Sequence, residues 1–351
     1  MYRFETIIDQ KHPIRYLKTL LLNRTIPHAL LFTGIEGVGK RLAAKSFAMA
    51  CNCSKIEPLD WTAKDKIRNR GGQYAQEEYA SSCGYCRSCK KIQSGAHPDV
   101  VLVKPLSSII RIAQIRDLCH ILSMKPHEAR LRVVIISDAQ AINPEAGNAL
   151  LKILEEPPDQ TIIILTARQV SDLMPTIVSR CQHIRFNPIS GKSIETMLVK
   201  QYGLDHSDAT IITSMSNGSF SKAISMIKSM NRINWIKLRS LLIKENDFLS
   251  LKQTGLIMAF ALMLAKDKMV LQTFFEVIKI WIRDLLVYKY DPQKIINKDL
   301  TGRIQLISQN QTIKNLLAKM KAVESAQKDI RLNSNIRLTL ELLFLRLTNS
   351  L

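Results

Sequence analysis

Residues 34–40, GIEGVGK, follow the apolar run HALLFT at 28–33 and precede RLAAKSFAMAC at 41–51, whose spacing reads as a helix. This is the GxxxxGK pattern of a phosphate-binding loop in the strand, loop, helix setting that gives such a match its meaning. Glycines permit a turn tight enough for backbone amides to surround phosphates, the helix N-terminus adds positive potential, and Lys40 would meet the terminal phosphates. Such a loop commits the chain to a parallel α/β domain. The β-branched runs at 99–103 (DVVLV), 132–136 (RVVII) and 161–165 (TIIIL) supply further buried parallel strands. Helical patterns at 112–124 and 144–154 separate them, and the second ends where Glu155 and Glu156 meet Pro157 and Pro158.

After Phe186 the strand signals fade. The expected architecture is an α/β domain over 1–186, a small helical lid over 187–229 turning at Asn217-Gly218, and an all-helical domain over 230–351. That last segment reads as amphipathic helices throughout, including 274–288 and 336–347, and the polar stretch 54–82 reads as a loop-rich insertion. The longest apolar run, 256–265, is far short of the roughly 20 residues a membrane helix needs. The N-terminus carries charges where a signal peptide needs an apolar stretch, so a cytoplasmic location is expected. Lys and Arg number 50 against 30 Asp and Glu, a net +20 that suits a polyanionic neighbour such as nucleic acid.

The nucleotide site reads as degenerate. Gly34, Gly37, Gly39 and Lys40 are in place, but Arg41 stands where Ser or Thr should hold magnesium, and a guanidinium repels that ion. Asp138, after the 132–136 run, is the candidate second acidic element, and Thr166 at the end of the next run completes the set. Hydrolytic members of the fold place a carboxylate after that aspartate to polarise water; here it is Ala139. Hydrolysis is therefore not expected. The loop reads either as scaffold or as a holder of nucleotide, and Asp138 either as a magnesium partner or as a capping residue.

Five of the seven cysteines fall within 51–89. Cys83, Cys86 and Cys89 repeat the CxxC spacing, which aims three thiolates at one point, and a structural zinc wants a fourth ligand. Cys53 is the expected fourth, Cys51 the alternative; His97 is a weaker candidate that reads better as a turn residue. Arg180, in Ser179-Arg180-Cys181, lies at a helix end, where a fixed guanidinium can stabilise charge developing on a phosphate, a neighbouring subunit's included.

These residues, with Pro27-His28-Ala29, Gly95-Ala-His97-Pro98-Asp99, and the run from Asn148 through Lys152 to Glu155-Glu156-Pro157-Pro158, resemble the AAA+ clamp-loader subunits of bacterial DNA polymerase III, the delta-prime type most closely. Trp281-Ile-Arg-Asp284 and Asn335-Ile-Arg337 extend the resemblance into the helical region. It implies an AAA+ module, a lid and a collar that joins a heteropentamer with ATPase subunits of the gamma/tau kind and a delta subunit. The resemblance further implies that this complex acts on the sliding clamp and primer-template DNA. The implied role is a stator lacking ATPase and polymerase activity of its own, with Arg180 reaching the adjacent subunit's ATP in trans. Ser221 stands where the family's ATPases carry Arg, while the 29 residues between Cys53 and Cys83 exceed the family's usual gap. Two other classes compete: an ATP-hydrolysing motor subunit or helicase loader, which would turn over ATP alone, and a zinc-dependent DNA-binding protein, favoured by the charge and the cysteines.

Overall fold

The computed structural model describes residues 3–55, 81–230, 254–332 and 334–348, so most of the expected 54–82 insertion and the junction expected near 230 lie outside the described residues. Contacts divide the chain into two units, Met1–Ser193 with Gly218–Ser221, and Ile194–Asn217 with Lys222–Leu351.

In the first unit, β1 (Ala29–Thr33), β2 (Val100–Val103), β3 (Arg132–Ile136), β4 (Thr161–Ala167) and β5 (Gln182–Arg185) form one sheet in the order β2-β3-β4-β1-β5. Every pairing is parallel. The strands β1, β3 and β4 are buried along their whole length, which is why their sequences are unbroken apolar runs rather than alternating ones. The flanking helices are α1 (Lys11–Asn23), α2 (Lys40–Asn52), α3 (Arg87–Ser94), α4 (Ile112–Ser123), α5 (Pro144–Glu155) and α6 (Pro175–Val178). Leu118, Leu150 and Leu154 from α4 and α5 close over Leu31, Val134, Ile163 and Leu165 of the sheet. The parallel α/β architecture read from the sequence is thus observed. Helix α5 starts with Pro144 in its first turn and the Asn143 side chain accepting from the Ala146 N–H at 3.0 Å.

Asp99 organises one whole corner. Its buried carboxylate accepts from the backbone N–H groups of His127, Glu128 and Ala129 at 2.8–2.9 Å. Arg132 Nη2 adds a contact at 3.4 Å, while Arg132 Nη1 donates to the Ile121 and Met124 carbonyls. Burial works to raise the Asp99 pKa, but these donors outweigh it and hold the group below its ordinary 3.8. A depressed carboxylate contributes stability that is complete above the unfolded value and is lost as pH falls through the folded one. Asp99→Asn should therefore cost about 1–3 kcal/mol near neutral pH, and the gap to the parent should narrow below pH 3.8. Urea midpoints at pH 7, 5 and 3 measure this; a constant gap would contradict it.

The second unit is helical. It holds α7 (Gly191–Tyr202, entering the unit at Ile194), α8 (His206–Ser216), α9 (Phe220–Met230, entering it at Lys222), α10 (Thr254–Ala265), α11 (Lys268–Tyr288), α12 (Thr301–Gln309), α13 (Ile313–Arg331) and α14 (Ile336–Thr348). Helix α11 packs on α12 and α13, and α14 on α10 and α13. Phe260, Phe274 and Phe344 meet at centroid distances of 5.5–6.0 Å. The Asp284 carboxylate, fully buried on α11, accepts from the N–H groups of Ile296 and Asn297 and from Asn297 Nδ2, pinning the loop before α12. Asp284→Ala strands those donors and should lower stability by about 3 kcal/mol, read as a shift in the denaturant midpoint at unchanged slope. Helix α10 departs from the expected amphipathic pattern. It is apolar all round, burying Ala261 and Leu264 while Met258, Leu262 and Met263 stay exposed. Among the described residues no helix is long and apolar enough to cross a membrane.

Candidate functional site

The loop 34–40 leaves β1 at the carboxyl edge of the sheet, the edge where open parallel sheets bind ligands. Its glycines are required by contact. Gly34 has φ +145°, and a Cβ there would stand 2.4 Å from the Phe186 carbonyl oxygen. Gly37 has φ +81°, and its Cβ would meet Ser219 Oγ at 2.5 Å and Ser221 N at 2.8 Å. The loop is thus pressed between the end of β5 and the segment 218–221. The Lys40 ammonium folds onto the loop's own carbonyls, donating to Gly34 O and, at 2.8 Å, to Ile35 O. Burial pushes the Lys40 pKa down to about 8, with Asp138 and Glu36 opposing the drop.

Asp138 and Thr166 reach the same edge from β3 and β4. Asp138 is exposed, takes a left-handed φ of 56°, donates its N–H to Thr166 Oγ1 at 3.2 Å and accepts from Gln140 Nε2 at 3.3 Å. It heads a short 3-10 turn at Ala139–Ala141 without a side-chain capping bond. Ala139 is sealed in the core at 1% exposure, so a carboxylate at that position would be buried rather than aimed at water. Arg41 is exposed. Glu36 and Arg168 pair at 3.6 Å and, with Ser107, Asp138 and Gln140, line an open cleft at this edge. Arg168 carries no motif, and only its place just after β4 gives it this position. The arrangement offers amides and a lysine for phosphate but neither a hydroxyl after Lys40 nor a carboxylate after Asp138.

Arg180 lies elsewhere. It follows α6 and precedes β5, and β5 runs parallel to β1 in the register Leu30↔Gln182 to Thr33↔Arg185. Arg180 therefore sits off the amino edge, opposite the loop. At about 3.3 Å per residue the strand between them keeps the two more than about 10 Å apart. Its Nη1 donates to Thr176 O at 2.9 Å and to Ser179 Oγ at 3.3 Å, and its Nη2 pairs with Glu155 Oε1 at 2.7 Å.

The sulfurs of Cys53, Cys83, Cys86 and Cys89 lie within 4.8 Å of one another, and those of Cys83 and Cys89 are 4.0 Å apart. Tetrahedral Zn–S bonds of about 2.3 Å put sulfurs about 3.8 Å apart, so the four fit such an ion. Backbone N–H groups of Cys83, Cys86 and Cys89 point at the sulfurs of Cys53, Cys83 and Cys86 at 3.3–3.4 Å. The fourth sulfur is that of Cys53. Cys51, the alternative, is not in the cluster: it lies fully buried in α2, where burial pushes its thiol pKa up. His97 is also outside it. Its Nδ1 accepts from the Asp99 N–H at 3.2 Å and its Nε2 faces Glu128 Oε1 at 3.8 Å.

Two family profiles match the chain: "DNA polymerase III, delta subunit" over residues 71–190 and "DNA polymerase III, delta subunit, C terminal" over 233–349. The chain is similar to DNA polymerase III subunit delta' of Bacillus subtilis, 30% identical over 327 residues that span 92% of this chain and 91% of that one. It is similar to subunit delta' of Pseudomonas aeruginosa, 34% identical over 156 residues, 44% of this chain and 41% of that one. Subunit tau of Bacillus subtilis is 32% identical over 64% of this chain and 37% of its own length.

Proposed function

The chain belongs to the delta-prime family of DNA polymerase III clamp-loader subunits, and from that membership we propose that it is the loader's non-hydrolysing stator, lending Arg180 to ATP held by a neighbouring subunit. One observation supports the reading: the guanidinium sits off the sheet edge opposite the chain's own loop, out of reach of a phosphate held there. In the neighbouring subunit's site it would stabilise charge building on the transferring phosphoryl group. In cis, Arg41 replaces the magnesium hydroxyl and buried Ala139 the water-orienting carboxylate, so the degenerate set Gly34, Gly37, Gly39, Lys40, Arg41, Asp138 and Thr166 would serve as scaffold or as a holder of nucleotide, and in neither case would it split one.

The partners under this reading are gamma/tau-type ATPase subunits and a delta subunit, with the sliding clamp and primer-template DNA engaged through the complex. Residues 1–186 would form the AAA+ module, 187–229 the lid and 230–351 the collar. Cys53, Cys83, Cys86 and Cys89 would hold a structural zinc, which with four protein ligands has no open position for catalysis. The test is ATP turnover by the chain alone and by the reconstituted loader carrying Arg180→Ala. No turnover is expected from the chain alone, and a loss from the complex; hydrolysis by the isolated chain would overturn the reading.

A further inference from the structure

Glu155 is the last residue of α5, and its carboxylate meets the Arg180 guanidinium on the face of the domain opposite the phosphate loop. The pair is half open to solvent, with side-chain exposures of 35% for Arg180 and 49% for Glu155. A free arginine would spread over many rotamers. Here one terminal nitrogen is held by Thr176 O and Ser179 Oγ and the other by Glu155. A guanidinium has five N–H donors in a planar fork, so three contacts leave donors to spare, and Nε has no partner among the described residues. The frame beneath is stiff, because α5 and α6 pack together with Leu154 and Ile177 in one core.

Resting on the reading of Arg180 as a trans-acting finger, we infer that Glu155 is its positioning residue: it fixes the guanidinium plane so that the unused edge faces a phosphate brought by the neighbouring subunit. Glu155 touches no nucleotide. Its effect runs through the orientation of Arg180, so it belongs in turnover and not in nucleotide affinity.

The experiment compares the reconstituted loader, with clamp and primer-template DNA, carrying Glu155→Gln, Glu155→Asp, Arg180→Ala, or Glu155→Gln with Arg180→Ala. Glu155→Gln is expected to lower kcat by about two- to fivefold, the restraint an exposed ion pair supplies. The KM for ATP and the assembly of the complex should stay unchanged. Glu155→Asp, which keeps the charge, should recover at least half of the loss. In the Arg180→Ala background, Glu155→Gln should do nothing further. If Arg180→Ala lowers turnover while Glu155→Gln leaves it unchanged or raises it, the positioning role is wrong and the finger survives. A Glu155→Gln loss that persists without Arg180 marks a merely structural role and also overturns it. Unchanged turnover in Arg180→Ala removes the finger, and this inference with it.

Discussion

Arg180→Ala in the reconstituted complex is expected, on the proposal that Arg180 acts in trans, to leave assembly intact and to slow ATP cleavage at one neighbouring site by roughly 10³-fold, the lower end of what arginine fingers contribute. Such a loss would be catalytic in origin, because the stability cost is small. Arg180 is part-exposed, and its contacts are one ion pair with Glu155 and bonds to Thr176 O and Ser179 Oγ. Losing an exposed pair of this kind costs about 0.2–1 kcal/mol, too little to unfold the domain. Arg180→Lys keeps the charge but loses the planar fork, so it should recover only a minor part of the rate. Single-turnover cleavage by the assembled complex is the measurement, since averaging over several ATPase sites would dilute a defect confined to one. Full-rate cleavage at every site would remove Arg180 from the chemistry.

The second large effect is expected at the four-cysteine cluster, read as a zinc site. Metal analysis of the purified protein should give about one zinc per chain, and Cys86→Ser or chelation should abolish it. Structural zinc binding in small peptides is worth about 10–16 kcal/mol apparent at pH 7, all of it folding free energy. In this chain the cysteines pack with Met49 and Ile92 in a small cluster separate from the sheet core, so the damage should concentrate on the cysteine loop and on what leans on it. Cys86 caps α3, Arg3 Nη2 donates to the Cys83 carbonyl at 2.6 Å, and Ser81 Oγ donates to Glu5 at 2.5 Å. Through Phe4 and Ile7, the latter lying over Gly39, this N-terminal segment continues to the phosphate loop. The thermal midpoint should fall by at least about 10 °C at roughly 2–4 °C per kcal/mol. Amide exchange should rise in 3–10 and 81–95. A metal-free protein with unaltered melting would dismiss the ion.

Most of the α/β domain was legible because its signals are local. Unbroken β-branched runs have no polar face to offer solvent and must be interior strands, and GxxxxGK between strand and helix leaves the backbone little choice. The Cys83, Cys86 and Cys89 spacing is equally local. The fourth ligand, expected as Cys53 with Cys51 as the alternative, is Cys53 in the cluster, and the choice between the two turns on helix geometry. Residues two apart on a helix point to opposite sides; Cys51 is still helical, whereas Cys53 is the cap, with extended φ −71° and ψ 124° that release it toward the other three. Asp99 stood in a recognisable motif, yet its work depends on 127–129, remote in sequence and supplied by the loop before β3. Helix α10 carried no polarity from which to read its buried side, and packing on α11 and α14 chose it.

The sequence by itself determined the chemistry the chain lacks and the types it offers: no hydroxyl after Lys40, no carboxylate after Asp138, three clustered thiols and an arginine after a short helix. Tertiary structure alone decided where these stand. Parallel register of β5 on β1 put Arg180 at the far edge from the loop, and the end of α5 brought Glu155 to it across 25 residues of chain. Local residues fix local backbone, but which edge a side chain occupies follows from strand direction and register, and those are set by long-range burial that no short window of sequence contains.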